Sequence, residues 1–462
     1  METLLAIIGF VGLITMVLLL LFDKATPAMT FIIVSSVVGF GLVGLEALDI
    51  GAGIGKALGV KSEIFGLKEL GDFVKSGIGS VSATAALFIF SILFFTLLSS
   101  AGVFNRIINA LLRSIPTNCY GVTTLTVFVA IIAHLDGSGA STFLIAIPAL
   151  LPIYVKMQMR PTTLMLILTA SMGVMNLLPW GGPTLRVATI IGDDATRLWL
   201  EIMPMQVVGL VLALCLAIYM GFIESRRIAL GLNKVSADDF IDSAFEDSQK
   251  AHLTREGFFW LNVALLVFVL ALLVFSGLPG YFPFMIGTAL GFIINYPNLK
   301  HQQAILKEAS SAAMMMATVL LAAGVLIGVF DKSGIMKLMA QLVLDIMPEF
   351  MGGHLVLLVG LSAVPMALIF CTDSYFYGLL PIVIAVGEAF GISASALGIA
   401  MVVCRNCATF ISPVVPATLL GCGLSGVSIK EHIKTSFFWV WGISIICLIS
   451  GYMLGIIQYT YR

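Results

Sequence analysis

The feature that most restricts this chain is a succession of apolar runs. Leu4 to Phe22, Phe258 to Phe275 and Phe437 to Ile457 approach or reach the length that crosses a bilayer. The chain of 462 residues is 60% hydrophobic and 11% charged, against about 25% charged in a soluble domain. An all-α polytopic membrane protein follows. The start, METLL, has no basic region and no small-residue cleavage site, so the first run is expected to be an uncleaved helix. A net charge of −1 lacks the basic footprint of nucleic-acid binding. Cys404 and Cys407 form a CxxC, but no second pair completes a zinc site. The cysteines are therefore expected to be small buried hydrophobes.

Spanning segments are expected near 3–22, 27–45, 82–99, 161–192 and 202–223, and again near 257–276, 281–296, 312–330, 394–421 and 435–458. The polar stretch 224–256 separates 1–223 from 257–462 and reads as a cytoplasmic linker. The two halves share an order. SSAGVFNRIINALL (99–112) and DKSGIMKLMAQLV (331–343) are short amphipathic pieces suited to an interface. Each precedes two apolar arms around a polar break, HLDGSGAST within 117–155 and CTDSYF within 353–388. Each arm pair precedes a helix that reaches an asparagine and then dissolves, MGVMNLLPWGGPT (172–184) and CRNCATFISPVVPAT (404–418). Backbone at membrane depth survives a polar break only where it lines a cavity or is packed in protein, so the arms read as re-entrant hairpins. Setting them aside leaves five spans per half. Five is odd, so the second repeat is inverted relative to the first, an organisation typical of secondary transporters. Lysines and arginines concentrate on the side of the 224–256 segment, which places both termini outside.

The polar residues gather at the two breaks and the two broken helices. Gly137 and Gly139 allow close backbone approach, and Ser138, Ser141 and Thr142 offer hydroxyls. The other tip offers Thr372, Asp373 and Ser374, and Asn176 and Asn406 close the two helices at matching places. Pro179, Gly181, Gly182, Pro183, Pro413 and Pro416 keep the helices open. Helix N-termini at such tips suit a carboxylate. Asp136 and Asp373, ionisable groups in membrane segments, are candidates to hold a proton, a sodium ion or a divalent metal. The alternative is that each caps its own hairpin helix, Asp373 especially. His134 is a candidate proton carrier, or a donor to a backbone carbonyl. Arg186 and Arg405 are candidate carboxylate clamps, or partners of a nearby acid. Trp180, at a break, reads as packing.

At these residues the chain resembles a known family. HLDGSGASTFLIAIPALLPIY followed by MNLLPWGGPTLRVA is similar to the citrate–metal:proton symporters of the ion-transporter superfamily. The resemblance runs over most of the chain, strongest over 100–225 and 315–425. It implies uptake of citrate complexed with a divalent cation such as Mg²⁺ or Ca²⁺, coupled to protons, with no permanently bound cofactor. It also implies a homodimer in a bacterial inner membrane, moving a hairpin-bearing domain against a static scaffold. In superfamily relatives the tips and the broken-helix loops form the site. Here those stretches are Asp136 to Thr142, Asn176 to Thr184, Thr372 to Ser374 and Asn406 to Ser412, so that Thr184 and Thr409 join the residues already named. DGSGAST and TDSYF stand where sodium-coupled relatives carry serine-asparagine-threonine tips, so protons are expected in preference to sodium.

Three other readings compete. A gluconate- or lactate-type permease would carry a monoanion without metal. An enzyme is disfavoured, because His134, Asp136 and Ser138 fall within five residues and cannot meet in triad geometry without an unusual fold. A channel would need a continuous polar lining, whereas the polarity here is confined to two tips and two breaks.

Overall fold

A computed structural model of the protein describes residues 1–22, 24–48, 54–58, 64–113, 118–232, 253–345 and 352–457. Most of the expected linker, 233–252, lies outside the described residues, and 224–229 continue the helix before it. The described residues are helical without a strand.

Long helices open each half. In the first, α1 (Glu2–Leu21), α2 (Pro27–Ala47) and α3 (Leu67–Ser100) precede a short α4 (Val103–Arg113). Then come α5 (Cys119–Ala133), α6 (Gly139–Lys156), α7 (Pro161–Met175), α8 (Gly182–Ile191) and α9 (Ala195–Ala229). The second half holds α10 (Phe259–Phe275), α11 (Tyr281–Asn295), α12 (Leu299–Ile327) and a short α13 (Ile335–Leu344). It continues with α14 (Leu355–Ala367), α15 (Leu380–Ala389), α16 (Ala394–Cys407), α17 (Pro416–Ser425) and α18 (Ile429–Met453). Among the described residues nine helical segments have the length and composition to cross a membrane, and both arms of the first hairpin are among them. The spans expected at 257–276 and 281–296 are the shorter α10 and α11, of 17 and 15 residues.

Helices α3 and α12 form one packed seam, joined by α2 and α11. Glycine makes the seam possible. A Cβ on Gly77 would lie 2.0 Å from the Gly324 carbonyl oxygen, so the two backbones touch where no larger residue fits. The other centre is the pair α7 and α16. Every residue of α7 from Thr162 to Met175 and of α16 from Ala396 to Cys407 is buried. A Cβ on Gly173 would stand 2.7 Å from the Asn406 carbonyl oxygen. The start of α7 is tied to α9 by Glu224, fully buried, which pairs with Arg160 at 2.6 Å and accepts from Thr163 at 2.7 Å.

The arms expected within 117–155 are α5 and α6, and residue 117 lies outside the described residues. Asn118 caps α5 by accepting from the Gly121 N–H at 2.7 Å. A single 3₁₀ turn, His134–Asp136, ends in Gly137 at φ +72°, and Ser138 caps α6. The second hairpin differs from expectation. Its helix α14 ends at Ala367, and the break falls at 368–371 rather than at CTDSYF. Thr372 and Asp373 already belong to the helical start of the second arm, which runs through a π-helical stretch, Ser374–Leu379, into α15. The apolar residues can break because their freed carbonyls find partners elsewhere. Ser412 donates to Ala367 O at 2.5 Å and Arg405 donates to Phe370 O at 3.3 Å. The polarity that satisfies the break sits on the neighbouring broken helix.

Candidate functional site

Each hairpin tip packs against the helix breaks, and the two breaks meet through Asn176 and Asn406. At the first tip the Trp180 indole N–H donates to Leu135 O at 2.7 Å, and the His134 ring stands edge-on to Phe410 with centroids 5.3 Å apart. A Cβ on Gly139 would fall 2.3 Å from Phe410, which explains that glycine. At the second tip, Ser412 and Arg405 hold the carbonyls of 367 and 370. Arg186 on α8 donates from Nε to Asp373 Oδ1 at 2.7 Å. Each hairpin therefore touches the discontinuities of both halves.

The two asparagines meet directly. Asn176 Nδ2 donates to Asn406 Oδ1 at 3.2 Å, and the same oxygen accepts from Thr409 at 3.0 Å. Thr409 in turn accepts from Arg405 Nη1 at 3.1 Å. Thr184 donates to Leu177 O at 3.0 Å, closing the first break upon itself. Gly181 is required by contact, since a Cβ there would meet Asn176 O at 2.3 Å, whereas a Cβ on Gly182 would only displace the end of the Arg186 side chain, whose Nη1 would lie at 2.7 Å.

The carboxylates are used differently from each other. Asp136 caps its own hairpin, accepting from the Ser138 N–H at 2.8 Å and from the Ser141 hydroxyl. Asp373 was the stronger capping candidate by sequence, yet its side chain caps nothing and reaches across to Arg186. His134 is fully buried; its Nδ1 is bonded to Thr142 Oγ1 at 2.8 Å, and the Asn176 side chain also stands beside the ring. Ser374 donates to Cys371 O at 3.1 Å, and Thr372 is half-buried at the start of its arm. Among the described residues, no three His, Cys, Asp or Glu side chains converge as a metal cluster would.

Arg405 is the outstanding electrostatic feature. It is fully buried, forms no ion pair among the described residues, and leaves Nε without a hydrogen-bond partner. Tyr375 and Phe376 face its guanidinium at 5.7 and 5.8 Å from their ring centroids. Arg186 and Asp373 lie within its electrostatic range. Asp373 thus stands near two arginines, and Arg405 keeps its charge buried without an ion partner of its own among the described residues. Burying such a charge costs several kcal/mol, roughly, unless a partner arrives.

Four more residues matter to this arrangement: Trp180, Phe410 and Ser412 fall inside the stretches that the resemblance implies, and His432 falls outside them. Trp180 was read as packing, and it does pack on Phe95 and Phe284, but it also anchors the first tip. Phe410 and Ser412 contact the tips, and buried His432 on α18 faces Phe410 O at 3.1 Å. The available signal was an indole and a hydroxyl placed inside breaks, where a polar hydrogen must find a partner.

The sequence pattern of the citrate transporter family CitMHS matches residues 3–404. The chain is 29% identical over 455 residues to the "Citrate transporter" of Bacillus subtilis (strain 168), covering 98% of this chain and all of that protein. It is 31% identical over 376 residues to the "Mg(2+)/citrate complex secondary transporter" of the same strain, covering 81% of this chain and 86% of that one. A solved structure, the Alcanivorax borkumensis YdaH transporter, superposes with a TM-score of 0.57 at 16% identity, over 82% of this chain and 88% of that one. At that identity the likeness is one of fold.

Proposed function

This chain belongs to the CitMHS family of citrate transporters, and we propose from that premise that it imports citrate as a divalent-metal complex, coupled to protons. The observation that carries the proposal is the buried, unpaired Arg405 beside the neutral pair Arg186–Asp373. Together they present one net positive charge at the crossing of the two broken helices when Asp136 carries its coupling proton, the form in which we propose that substrate binds. A citrate trianion with one divalent cation carries one net negative charge and matches that site. The free trianion would leave two charges unmatched in a low-dielectric interior, where each is expensive.

The metal travels as part of the substrate. With no cluster of three ligating side chains among the described residues, Mg²⁺ or Ca²⁺ would keep citrate oxygens and water as most of its coordination. Asp136 and Asp373, one at each tip, are the side chains we assign to contact the metal or carry the coupling proton, with His134 as a second proton carrier. Gly137, Ser138, Gly139, Ser141 and Thr142 on the first tip, with Thr372 and Ser374 on the second, complete the ring around the substrate. Asn176, Asn406 and Thr409 form its floor.

The order of elements supports two inverted repeats, 1–223 and 257–462, in an elevator arrangement. The hairpins, broken helices, α9 and α18 would move against α1–α3 and α10–α12. We assign both termini to the outside of a bacterial inner membrane and a homodimeric assembly.

The test is uptake of labelled citrate into proteoliposomes under an inward proton gradient, with Mg²⁺, Ca²⁺ or EDTA. Uptake is expected to need both metal and gradient. Equal uptake in EDTA would remove the metal complex and favour a free carboxylate. Competent vesicles that ignore citrate would overturn the substrate assignment.

A further inference from the structure

Pro381 has no N–H to offer the Tyr377 carbonyl four residues earlier, and its ring crowds that carbonyl, so the second arm widens into the π-helical stretch Ser374–Leu379. Tyr377 sits in that stretch. Its ring stands edge-on to Phe31 of α2, with centroids 5.0 Å apart, and the residue is 1% exposed. Its hydroxyl has no hydrogen-bond partner. Thr189, on α8, is also buried, and its hydroxyl is unpartnered as well. Both residues line one cavity of about 250 Å³, with α8 and the second arm on one side and α1, α3, α12 and α13 on the other. The two flank the ion pair already described. Thr189 follows Arg186 by three residues and Tyr377 follows Asp373 by four, about one helical turn in each case. The Tyr377 hydroxyl lies within electrostatic range of both Arg186 and Asp373.

Buried polar groups are nearly always paired, and an unpaired hydroxyl lowers stability. Two of them on one cavity, beside a buried ion pair, mark a place for a ligand's acceptors. We propose that Tyr377 and Thr189 form a subsite for one carboxylate arm of the transported anion, each hydroxyl donating to a carboxylate oxygen. The inference rests on the carboxylate substrate proposed above and adds two residues to its site. The cavity is smaller than sites that hold a whole ligand, roughly 300–1,000 Å³, and suits one arm of the anion. Uncharged donors fit this position. Arg186 already has its counterion in Asp373, so hydroxyls can bind a carboxylate here without a further buried positive charge. The packing of the Tyr377 ring on Phe31 fixes the donor beforehand, which reduces the freedom lost on binding.

The test is uptake of labelled citrate with Mg²⁺ into proteoliposomes, together with thermal unfolding of the full-length protein in detergent with and without Mg²⁺-citrate. Tyr377→Phe keeps the ring on Phe31 and removes only the hydroxyl. It is expected to raise the half-saturation concentration about tenfold, the loss of one hydrogen bond to a charged group, while the maximal rate changes far less. Without ligand it should unfold at the wild-type temperature or above, because the lost hydroxyl had no partner, and the upward shift given by Mg²⁺-citrate should shrink. Thr189→Val should act in the same direction, and it carries the test alone if Tyr377→Phe fails to fold. Tyr154→Phe is the contrast. Its hydroxyl is bonded to Thr126 Oγ1 at 2.8 Å, so its removal should lower stability and leave half-saturation as it was. Wild-type half-saturation in both Tyr377→Phe and Thr189→Val, the result if water alone satisfies the hydroxyls, overturns the subsite and leaves the transport function standing. A wild type that takes up no citrate overturns the function and the subsite with it.

Discussion

Asp373→Asn tests the central ion pair. The Arg186 Nε to Asp373 Oδ1 distance is 2.7 Å, with the two side chains 7% and 15% exposed. At an effective dielectric near 20 the Coulomb attraction at that separation is about 6 kcal/mol, before the cost of desolvating both groups. The amide keeps the carboxylate's shape and removes its charge, leaving a buried guanidinium without its counterion. Loss of one member of such a pair costs about 3–5 kcal/mol, whereas replacing both is often close to neutral. Asp373→Asn should therefore lower the thermal stability of the detergent-solubilised protein sharply. Adding Arg186→Gln to it should recover most of the loss. A cycle of wild type, two single variants and the double, followed by thermal unfolding, isolates the coupling. If Asp373→Asn costs less than about 1 kcal/mol, or if the double variant's loss is the sum of the singles, the pair is not the energetic unit described above.

Three other outcomes follow from contacts in the same region. Arg405→Lys keeps the charge but cannot reach both Thr409 Oγ1 and Phe370 O as the fork does. The half-saturation concentration for citrate uptake should rise about tenfold or more at normal membrane levels, and an unchanged value would make Arg405 structural. Asp136→Asn retains an acceptor for the Ser138 N–H and should fold and bind substrate while losing accumulation driven by a proton gradient. Gradient-driven uptake at wild-type levels would take Asp136 out of coupling. Gly173→Ala drives a methyl to within 2.7 and 2.8 Å of the carbonyl oxygens of Asn406 and Cys407. It should cost about 1–3 kcal/mol and part the Asn176–Asn406 bond. Gly79→Ala, with open space around it, is the control, and equal stability of the two variants would contradict the close crossing of α7 and α16.

Much of this arrangement was legible beforehand, for reasons visible in individual residues. The first hairpin showed itself because its polar residues are local. His134, Asp136, Ser138, Ser141 and Thr142 bond mostly to one another and to their own backbone. The second break was misplaced by several residues because its partners, Arg405 and Ser412, lie on another element. A polar stretch in the sequence marks where polarity is, and that need not be where the helix stops. The same cause reversed the carboxylates. Capping propensity favoured Asp373, but Arg186, 187 residues earlier in the chain, outcompetes the local backbone for it.

The sequence by itself determined that this chain is an all-helical membrane protein whose apolar runs are interrupted at a few places near its polar residues. Long apolar runs admit few other solutions, and a break in such a run is costly enough to be visible wherever it occurs. Only the tertiary structure decided how the interruptions are joined: Asn176 to Asn406, Arg186 to Asp373, Trp180 to Leu135 and Ser412 to Ala367. Those pairings depend on which helices cross. The crossing depends in turn on where glycines such as Gly173 let two backbones touch, and no local propensity encodes that.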